Sequence, residues 1–293
     1  MAKTVEEGFE LFLKRLIPTT TEHKKVTKHK KTVHRCLKNK LQCRKFFDIG
    51  SYGNGTGIRH HSDTDYFAVL PSQMLHSNSA MALRETKEAL QGTFSNTNKI
   101  EVKTPVIKIP FGQYASETME IIPCYFYGLS KTPLGRFESF RIPDGNGTWY
   151  TSSPKAHNVY VETQNKKFGG ELKSLIKLIK AWKYYNNVSI QSFYLELNAT
   201  KYAEKEKNLF YDIDLQFFFQ YLYDLQLGDI LDPMGVSGYI SATNTFAKKQ
   251  ESLSKINTAM IRAKKAVEAE QKGKTREAID LWNLLFNKKF KYR

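Results

Sequence analysis

The chain has 293 residues, of which 41% are hydrophobic and 13% are aromatic. This composition is typical of a globular protein and excludes a disordered chain, and the length suffices for one large domain or two lobes. The net charge at pH 7 is +16, which favours anionic partners such as nucleotides, nucleic acids or acidic lipids.

Neither membrane insertion nor export is indicated by the sequence. Its apolar segments fall short of the roughly 18 residues needed to span a bilayer. Glu6 and Glu7 are acidic where a secretory signal peptide would be basic. Cys36, Cys43 and Cys124 form no closely spaced ligand pair, so we expect neither a disulfide framework nor a structural zinc site. We expect a cytoplasmic protein that does not contact the membrane.

Two helices are predicted at the N-terminus. A helical stripe spans residues 5–16, and a long basic helix follows it to about Lys45. Between Lys24 and Lys45 there are ten lysine or arginine residues and no acidic residue. Apolar residues recur within this segment every four positions, which predicts one packed side and one charged side. The charged side fits either a solvated surface or a surface that binds phosphates or a nucleic acid, and both interpretations stay open.

The next part of the chain is predicted to be a mixed α/β region. A loop and then a helix are predicted over 72–88, and an irregular region from about 129 to 167. Because the β-rich segments alternate with few helices, we expect a small, mainly antiparallel sheet. The predicted strands cover residues 46–49, 65–70, 100–103, 106–109, 119–126 and 148–150.

The last part of the chain is predicted to be helical. Its amphipathic stripes include Leu172, Ile179 and Trp182 in one helix and Leu281 in another. We therefore predict an α+β protein with two lobes, residues 1–167 and residues 168–293, and a cleft between them. The predicted helices of the second lobe cover residues 170–186, 190–206, 210–227, 243–271 and 275–288.

Asp63 and Asp65 are the strongest chemical signal in the sequence. Residues i and i+2 of a strand share one face, so the two carboxylates would lie side by side at the start of an apolar strand. Adjacent carboxylates repel each other unless a cation lies between them. The spacing therefore predicts a site for a divalent cation.

A glycine-rich segment, residues 50–57, precedes these acids and includes Gly50 and Ser51. Glycines allow backbone N–H groups to approach a ligand closely, and the serine adds a hydroxyl donor for a phosphate oxygen. The segment is not a Walker A loop, because no Gly-Lys-Ser/Thr sequence follows it. Taken alone it would fit a flexible hairpin, but its position before Asp63 and Asp65 predicts phosphate binding.

A third carboxylate is required for a two-metal site of the phosphoryl-transfer kind. Glu120 is the best candidate, because it lies between apolar residues of a predicted strand and an unpaired buried carboxylate is costly. Glu101 and Glu117 are weaker candidates because their neighbours are less apolar. An exposed glutamate on an edge strand is the alternative interpretation of Glu120.

The pattern of these residues resembles that of the DNA polymerase β-like nucleotidyltransferases: a Gly-Ser pair, then an Asp-x-Asp motif, then a distant acidic residue on a strand. The order of the motifs is similar to the subset that contains bacterial cyclic-oligonucleotide synthases, animal cyclic GMP-AMP synthase and oligoadenylate synthetase. The segments that carry the resemblance are residues 50–56, 62–65, 119–123, 178–182 and 192–196, with Ala278, Trp282, Leu285, Phe286 and Phe290 near the C-terminus.

The resemblance implies a polymerase β-like nucleotidyltransferase lobe with a small mixed sheet, a long N-terminal spine helix and a helical C-terminal lobe. It further implies two Mg²⁺ ions, which Mn²⁺ could replace. A surface lysine and a core aromatic residue are the alternative interpretations of Lys180 and Phe193. The implied metal ligands are Asp63, Asp65 and Glu120, and the implied nucleotide-binding residues are Gly50, Ser51, Lys180, Ser192 and Phe193, with Phe193 stacking on the donor base.

The resemblance also implies a reaction. ATP, GTP or pyrimidine NTPs would be condensed into a cyclic di- or trinucleotide, which would activate a separate effector in antiphage signalling of the CBASS type. The chain departs from two relatives. It has no counterpart of the zinc-binding insertion of the animal synthase, and its C-terminal Arg293 differs from the small residue through which some bacterial members are conjugated.

Two other functions fit parts of the sequence. A template-independent RNA polymerase, such as a tRNA end-adding enzyme or a maker of linear oligoadenylate, would use the same carboxylates, and the basic helix could hold its RNA. A nucleic-acid-binding module with a relic site would need no carboxylates, so the intact Asp63, Asp65 and Glu120 argue against it.

Overall fold

The computed structural model describes most of the chain in two compact units. The described residues are 3–59, 64–97, 99–112 and 117–290, except that the side chains of residues 20–26 and 117 are left out.

The two units are not contiguous in sequence. The sheet unit comprises residues 18–159 and 234–238, and the helical unit comprises residues 1–17, 160–233 and 239–293. The N-terminal helix therefore belongs with the C-terminal helices. The division of the chain into lobes at residue 167 stays a prediction.

The sheet unit contains a mixed sheet of seven strands within the described residues. The predicted α+β architecture with a small sheet is confirmed. The strands are β1 (Lys45–Ile49), β2 (Thr64–Val69), β3 (Glu101–Lys103), β4 (Val106–Phe111), β5 (Glu117–Thr132), β6 (Gly135–Pro143) and β7 (Trp149–Ser152).

The strand order places β2 and β5 at the centre of the sheet. The order is β1-β2-β5-β4-β3, with β6 paired to β5 and β7 paired to β6. The β2–β5 pair is parallel, whereas the other described pairs of this sheet are antiparallel. Tyr66 and Ala68 are buried on one face of β2, and Phe67 and Val69 are buried on the other. Apolar cores on both faces hold this central strand in place.

Three α-helices of the described residues lie within the sheet unit, and a fourth, residues 154–167, begins in it and continues into the helical unit. The longest of the four carries the basic segment. In this helix Val33 and Leu37 are fully buried, as the apolar period predicts. The prediction that it runs to about Lys45 is wrong, because Gln42 has φ 55°, a left-handed conformation that ends a helix. The helices are α2 (Thr20–Leu41), α3 (Gly50–Gly53), α4 (Ser79–Gln91) and α5 (Pro154–Lys167).

The prediction of an irregular region from about 129 to 167 is also wrong, apart from the strand predicted over 148–150, which is β7. The strands β5 and β6 form a long hairpin there, and β7 and α5 follow it. The hairpin is hidden in the sequence because apolar residues such as Phe126 and Leu129 are exposed, so no alternation marks its faces. Helix α5 is mostly polar, and its buried face includes the polar residues His157 and Asn165 beside Ala156, Tyr160 and Val161, so its apolar period is weak.

The helical unit contains the helices predicted for the end of the chain, each somewhat shorter than predicted. The helix predicted over residues 5–16 also lies in this unit. It also contains a two-stranded hairpin that the sequence did not predict. None of the described helices in the chain is long and apolar enough to cross a membrane. The elements are α1 (Val5–Leu16), α6 (Glu171–Tyr185), α7 (Ser192–Ala203), α8 (Tyr211–Asp224), β8 (Ile230–Leu231), β9 (Tyr239–Ile240), α9 (Phe246–Gln271) and α10 (Thr275–Leu285).

An aromatic cluster joins α1 to the end of the chain. The ring centroid of Phe9 lies 5.0 Å from those of both Trp282 and Phe290. The Phe12 ring lies 4.7 Å from that of Phe286. These rings are buried, so the packing of large apolar surfaces explains why residues 1–17 belong to the helical unit.

Candidate active site

Asp65 and Glu120 are register partners on the parallel strands β2 and β5. Partners in register project to the same face of a sheet, so the two acidic side chains lie on one face near the starts of their strands. Phe67 and Ile122 follow on that face, two residues further along, and both are buried. The apolar core therefore holds the backbone of both acidic residues in place.

The third predicted ligand, Asp63, lies outside the described residues. Within the described ranges, no three His, Cys, Asp or Glu side chains are grouped as ligands for a metal ion. Asp65 and Glu120 are thus the part of the predicted carboxylate triad that the structure places. The participation of Asp63 stays a prediction.

Lys108 is a neighbour of Glu120 that was not predicted. It faces Glu120 across the β4–β5 pair, and its Nζ lies 3.5 Å from Glu120 Oε1. The Glu120 side chain is 21% exposed and that of Lys108 is 35% exposed. The sequence did contain a signal for Lys108. This lysine lies between Ile107 and Ile109, in the same way that Glu120 lies between apolar residues of its strand.

The rival acidic residues occupy other positions. Glu101 lies on β3, where its carboxylate forms ion pairs of 3.1 Å with Lys99 and with Lys103. Glu117 pairs in register with Phe111, away from Asp65. Of Glu101, Glu117 and Glu120, only Glu120 is in register with Asp65.

Gly50 packs directly against the Asp65 carboxylate. A Cβ atom at this position would lie 2.3 Å from Asp65 Oδ2, and the residue has φ +59°. Both facts require glycine. Ser51 follows within the short helix α3, where its carbonyl accepts a hydrogen bond of 2.9 Å from the Thr56 amide. The segment is therefore a helical turn rather than the flexible hairpin that the glycines alone would allow.

The donor set fits a hard divalent cation. Carboxylate oxygens are the ligands that Mg²⁺ and Mn²⁺ prefer, and Asp65 and Glu120 present theirs from adjacent strands. Because Gly50 has no side chain, the Asp65 carboxylate lies close to the backbone just before Ser51. The described residues are therefore compatible with the predicted metal site.

The other predicted nucleotide-binding residues lie in the helical unit. Lys180 is only 2% exposed and forms a buried ion pair with Glu196, so it is not a surface lysine. Ser192 is the first residue of α7, and its Oγ accepts a hydrogen bond of 2.7 Å from Lys183 Nζ. Phe193 is 38% exposed, so it is not a core aromatic residue.

The lysines of α6 create a positive region. Burial lowers the pKa of Lys177, and the charges of Lys173 and Lys180 lower it further. A cation that is disfavoured by burial and by neighbouring cations gains from a nearby anion. Lys173 and Lys180 already have carboxylate partners in Glu162 and Glu196. Lys177 is therefore the lysine of this face that would gain from a negatively charged ligand.

Residues 3–165 match the family described as SMODS, the Second Messenger Oligonucleotide or Dinucleotide Synthetase domain. A probable cyclic nucleotide synthase of Bacillus cereus (strain VD146) is 27% identical over 175 residues, which are 58% of this chain and 51% of that protein. The matched stretch thus spans about half the length of this relative.

Two solved structures share the fold. CdnC of E. coli MS115-1, solved with ATP, has a TM-score of 0.75 at 16% identity, covering 98% of each chain. The DncV cyclic AMP-GMP synthase of Vibrio cholerae, solved with the linear intermediate pppA(3′,5′)pG, has a TM-score of 0.66 at 15% identity, covering 84% of this chain and 70% of that one.

At these identities the two structures establish the fold, whereas the family match rests on the residues themselves. That match includes the segment from Gly50 to Asp65 and Glu120. The chain belongs to the family of Second Messenger Oligonucleotide or Dinucleotide Synthetase domains.

Proposed function

We propose that the protein is a Mg²⁺-dependent nucleotidyltransferase that condenses NTPs into a cyclic di- or trinucleotide. The observation that carries the proposal is the register of Asp65 with Glu120 on adjacent parallel strands, beside Gly50. Family membership supports the same reaction.

The carboxylates of Asp63, Asp65 and Glu120 would hold two Mg²⁺ ions, or Mn²⁺ in their place. When bound there, the ions supply Lewis acidity and neutralise charge on the phosphates. The protein contributes position: the central strands fix Asp65 and Glu120, and Gly50 brings the backbone close to the Asp65 carboxylate. Ser51 donates its hydroxyl to the triphosphate.

In the helical unit, Ser192 and Phe193 would contact the donor nucleotide, and Lys180 would support its binding through the buried ion pair with Glu196. The Ser192 hydroxyl suits the triphosphate, and the exposed ring of Phe193 suits stacking on a base. ATP is the first substrate to test, because a relative of this fold is solved with ATP and another is a cyclic AMP-GMP synthase. GTP and pyrimidine NTPs are further substrates to test.

The bond changes follow from the substrates. A ribose hydroxyl oxygen of the acceptor nucleotide attacks the donor α-phosphorus in line. A new phosphodiester P–O bond forms, the bond to the bridging oxygen of the β-phosphate breaks, the hydroxyl proton is released, and pyrophosphate leaves. A second transfer within the linear dinucleotide closes the ring of a cyclic dinucleotide and releases a second pyrophosphate. A cyclic trinucleotide needs one more transfer, to a third nucleotide, before the ring closes.

The cyclic product would diffuse to a separate effector protein, which fits antiphage signalling of the CBASS type. A cytoplasmic location is part of the proposal. Cys36, Cys43 and Cys124 are free and buried, which is compatible with a reducing compartment.

Incubation with the four NTPs and Mg²⁺ or Mn²⁺, followed by mass spectrometry, tests the function. The wild type should release pyrophosphate and form short cyclic species, and chelation of the metal should stop both. The double variant Asp63→Asn with Asp65→Asn should lose product by a factor of at least about 100, with a nearly unchanged thermal melt. The matched control is Asp280→Asn, which changes an exposed aspartate of α10.

Three outcomes would contradict the proposal. Full activity of the double variant would remove the metal site. Extended RNA instead of cyclic species would identify a template-independent polymerase. Salt-sensitive binding of RNA without turnover would identify a nucleic-acid-binding module.

Contact with a nucleic acid is a second proposed property, and α2 supports it. Its residues Lys28, Lys31, Arg35 and Lys38 are exposed. At 100° per residue these four side chains fall on one stripe of the helix. The stripe would bind phosphates of a nucleic acid regardless of sequence.

A further inference from the structure

Lys180 is poorly placed for direct contact with a ligand. Its ammonium group is almost completely buried, and Glu196 on α7 is its partner. A buried ion pair that loses one member leaves the other charge uncompensated in a low dielectric, which is costly. The pair therefore fixes α6 against α7.

Lys183, one turn further along α6, has a different environment. It is only partly buried, and its Nζ donates a hydrogen bond of 2.7 Å to Ser192 Oγ. The hydroxyl of Tyr184 lies 3.2 Å from the same oxygen. An ammonium group and two hydroxyl groups therefore converge at the start of α7.

The electrostatics of this position favour an anion. Gln191, which caps α7, forms no side-chain capping bond in the described structure, and the first turn contains no acidic residue. The positive end of the helix dipole thus lies beside the Lys183 ammonium group, and both are stabilised by negative charge.

We propose that Lys183 is a further phosphate-binding residue of the donor site, which contacts the triphosphate together with Ser192, while Lys180 positions α6 and α7 through Glu196. The proposal rests on the proposed function, because that function brings a nucleoside triphosphate to Ser192. The resemblance assigned no role to Lys183.

Binding of the non-hydrolysable analogues α,β-methylene ATP and α,β-methylene GTP, measured by calorimetry, tests the proposal without turnover. Lys183→Ala should weaken binding of the preferred analogue about tenfold or more, because a charge-assisted hydrogen bond to phosphate is lost. Lys183→Arg should restore most of the affinity. Binding of AMP, which lacks the β- and γ-phosphates, should change much less, and the thermal melt should stay the same.

Lys201→Ala is the matched control, because it removes the same charge from an exposed position of α7 and should leave binding unchanged. Lys180→Met should lower the melting temperature, since it leaves Glu196 buried without its partner. The two lysines are thus distinguished by what their substitution changes: the affinity for the triphosphate at Lys183, and the melting temperature at Lys180.

Unchanged affinity of Lys183→Ala for both analogues would overturn the proposal, and so would an equal loss of AMP and triphosphate binding. A stable Lys180→Met variant with weakened triphosphate binding, beside an unaffected Lys183→Ala, would make Lys180 the direct contact. If the wild type binds the analogues through Lys183 but forms no cyclic product, the inference holds and the proposed function fails.

Discussion

Glu120 lies between two neighbours with opposite effects on its charge. Asp65 on β2 repels the ionised carboxylate, whereas Lys108 on β4 attracts it. Lys108 thus partly offsets the repulsion between the two acidic side chains. A divalent cation would compete with this lysine for the same oxygen atoms.

Removal of the Lys108 charge should therefore strengthen metal binding. For Lys108→Met we expect the Mg²⁺ concentration for half-maximal activity to fall about three- to fivefold, which corresponds to the interaction of roughly 1 kcal/mol typical of a partly exposed ion pair. A Mg²⁺ titration of pyrophosphate release measures it. Lys131→Met, at an exposed lysine of β5, is the control, and an unchanged or higher Mg²⁺ requirement in Lys108→Met would contradict the expectation.

Gly50 shows how one residue meets two demands. Its glycine-rich context predicted a backbone that approaches a phosphate. The structure adds a steric reason, since any Cβ would clash with the Asp65 carboxylate. The glycine and the acidic residue are thus coupled across the β1–β2 pair, where Ile49 is in register with Asp65.

Among the secondary-structure elements, α2 carries most of the basic segment, but its charges are not equivalent. Lys30 forms an ion pair with Asp48 on β1, and Lys40 donates a hydrogen bond of 3.0 Å to the Ala89 carbonyl. These two lysines attach the helix to the sheet unit. The stripe of Lys28, Lys31, Arg35 and Lys38 is the part that faces solvent.

Charge reversal within this stripe should weaken binding of a nucleic acid. For Lys31→Glu with Arg35→Glu we expect the affinity for double-stranded DNA or RNA to fall about tenfold or more near physiological salt, with a shallower dependence on salt concentration. Fluorescence anisotropy over a salt series measures both. Lys264→Glu with Lys265→Glu, two exposed lysines of α9, changes the net charge equally, and equal losses in both variants would show that only total charge matters.

The whole molecule depends on contacts between distant parts of the chain. Helix α1 packs through Phe9 and Phe12 against aromatic residues from the last helix and the segment after it. The helical unit is therefore complete only when both ends of the chain have come together. Contacts of such high sequence separation form at a cost in chain entropy, which the burial of large rings offsets.

Truncation of one ring should destabilise this unit. We expect Phe9→Ala to lower the free energy of unfolding by about 3–5 kcal/mol, because it opens a cavity among buried aromatic residues. Urea unfolding followed by tryptophan fluorescence measures it, since Trp282 contacts Phe9. Leu11→Ala, at a position of α1 that is 38% exposed, should cost much less, and similar losses in the two variants would contradict the packing argument.

Most helices and strands could be predicted from the sequence, because local periodicity follows from which side of an element is buried. The apolar period of α2 correctly identified Val33 and Leu37 as core residues. The β5–β6 hairpin and α5 escaped prediction because the hairpin exposes apolar residues and α5 buries polar ones, which leaves little apolar period to detect. The acidic residues and Gly50 stood out by chemistry alone.

The sequence by itself therefore determined most of the elements, the family resemblance and the candidate residues of the site. Only the tertiary structure decided that Asp65 and Glu120 are in register, that Lys108 faces Glu120, and that Lys180 is buried against Glu196 while Lys183 contacts Ser192. Strand pairing and the burial of a charge depend on residues far away in the chain, and local patterns carry no record of those partners.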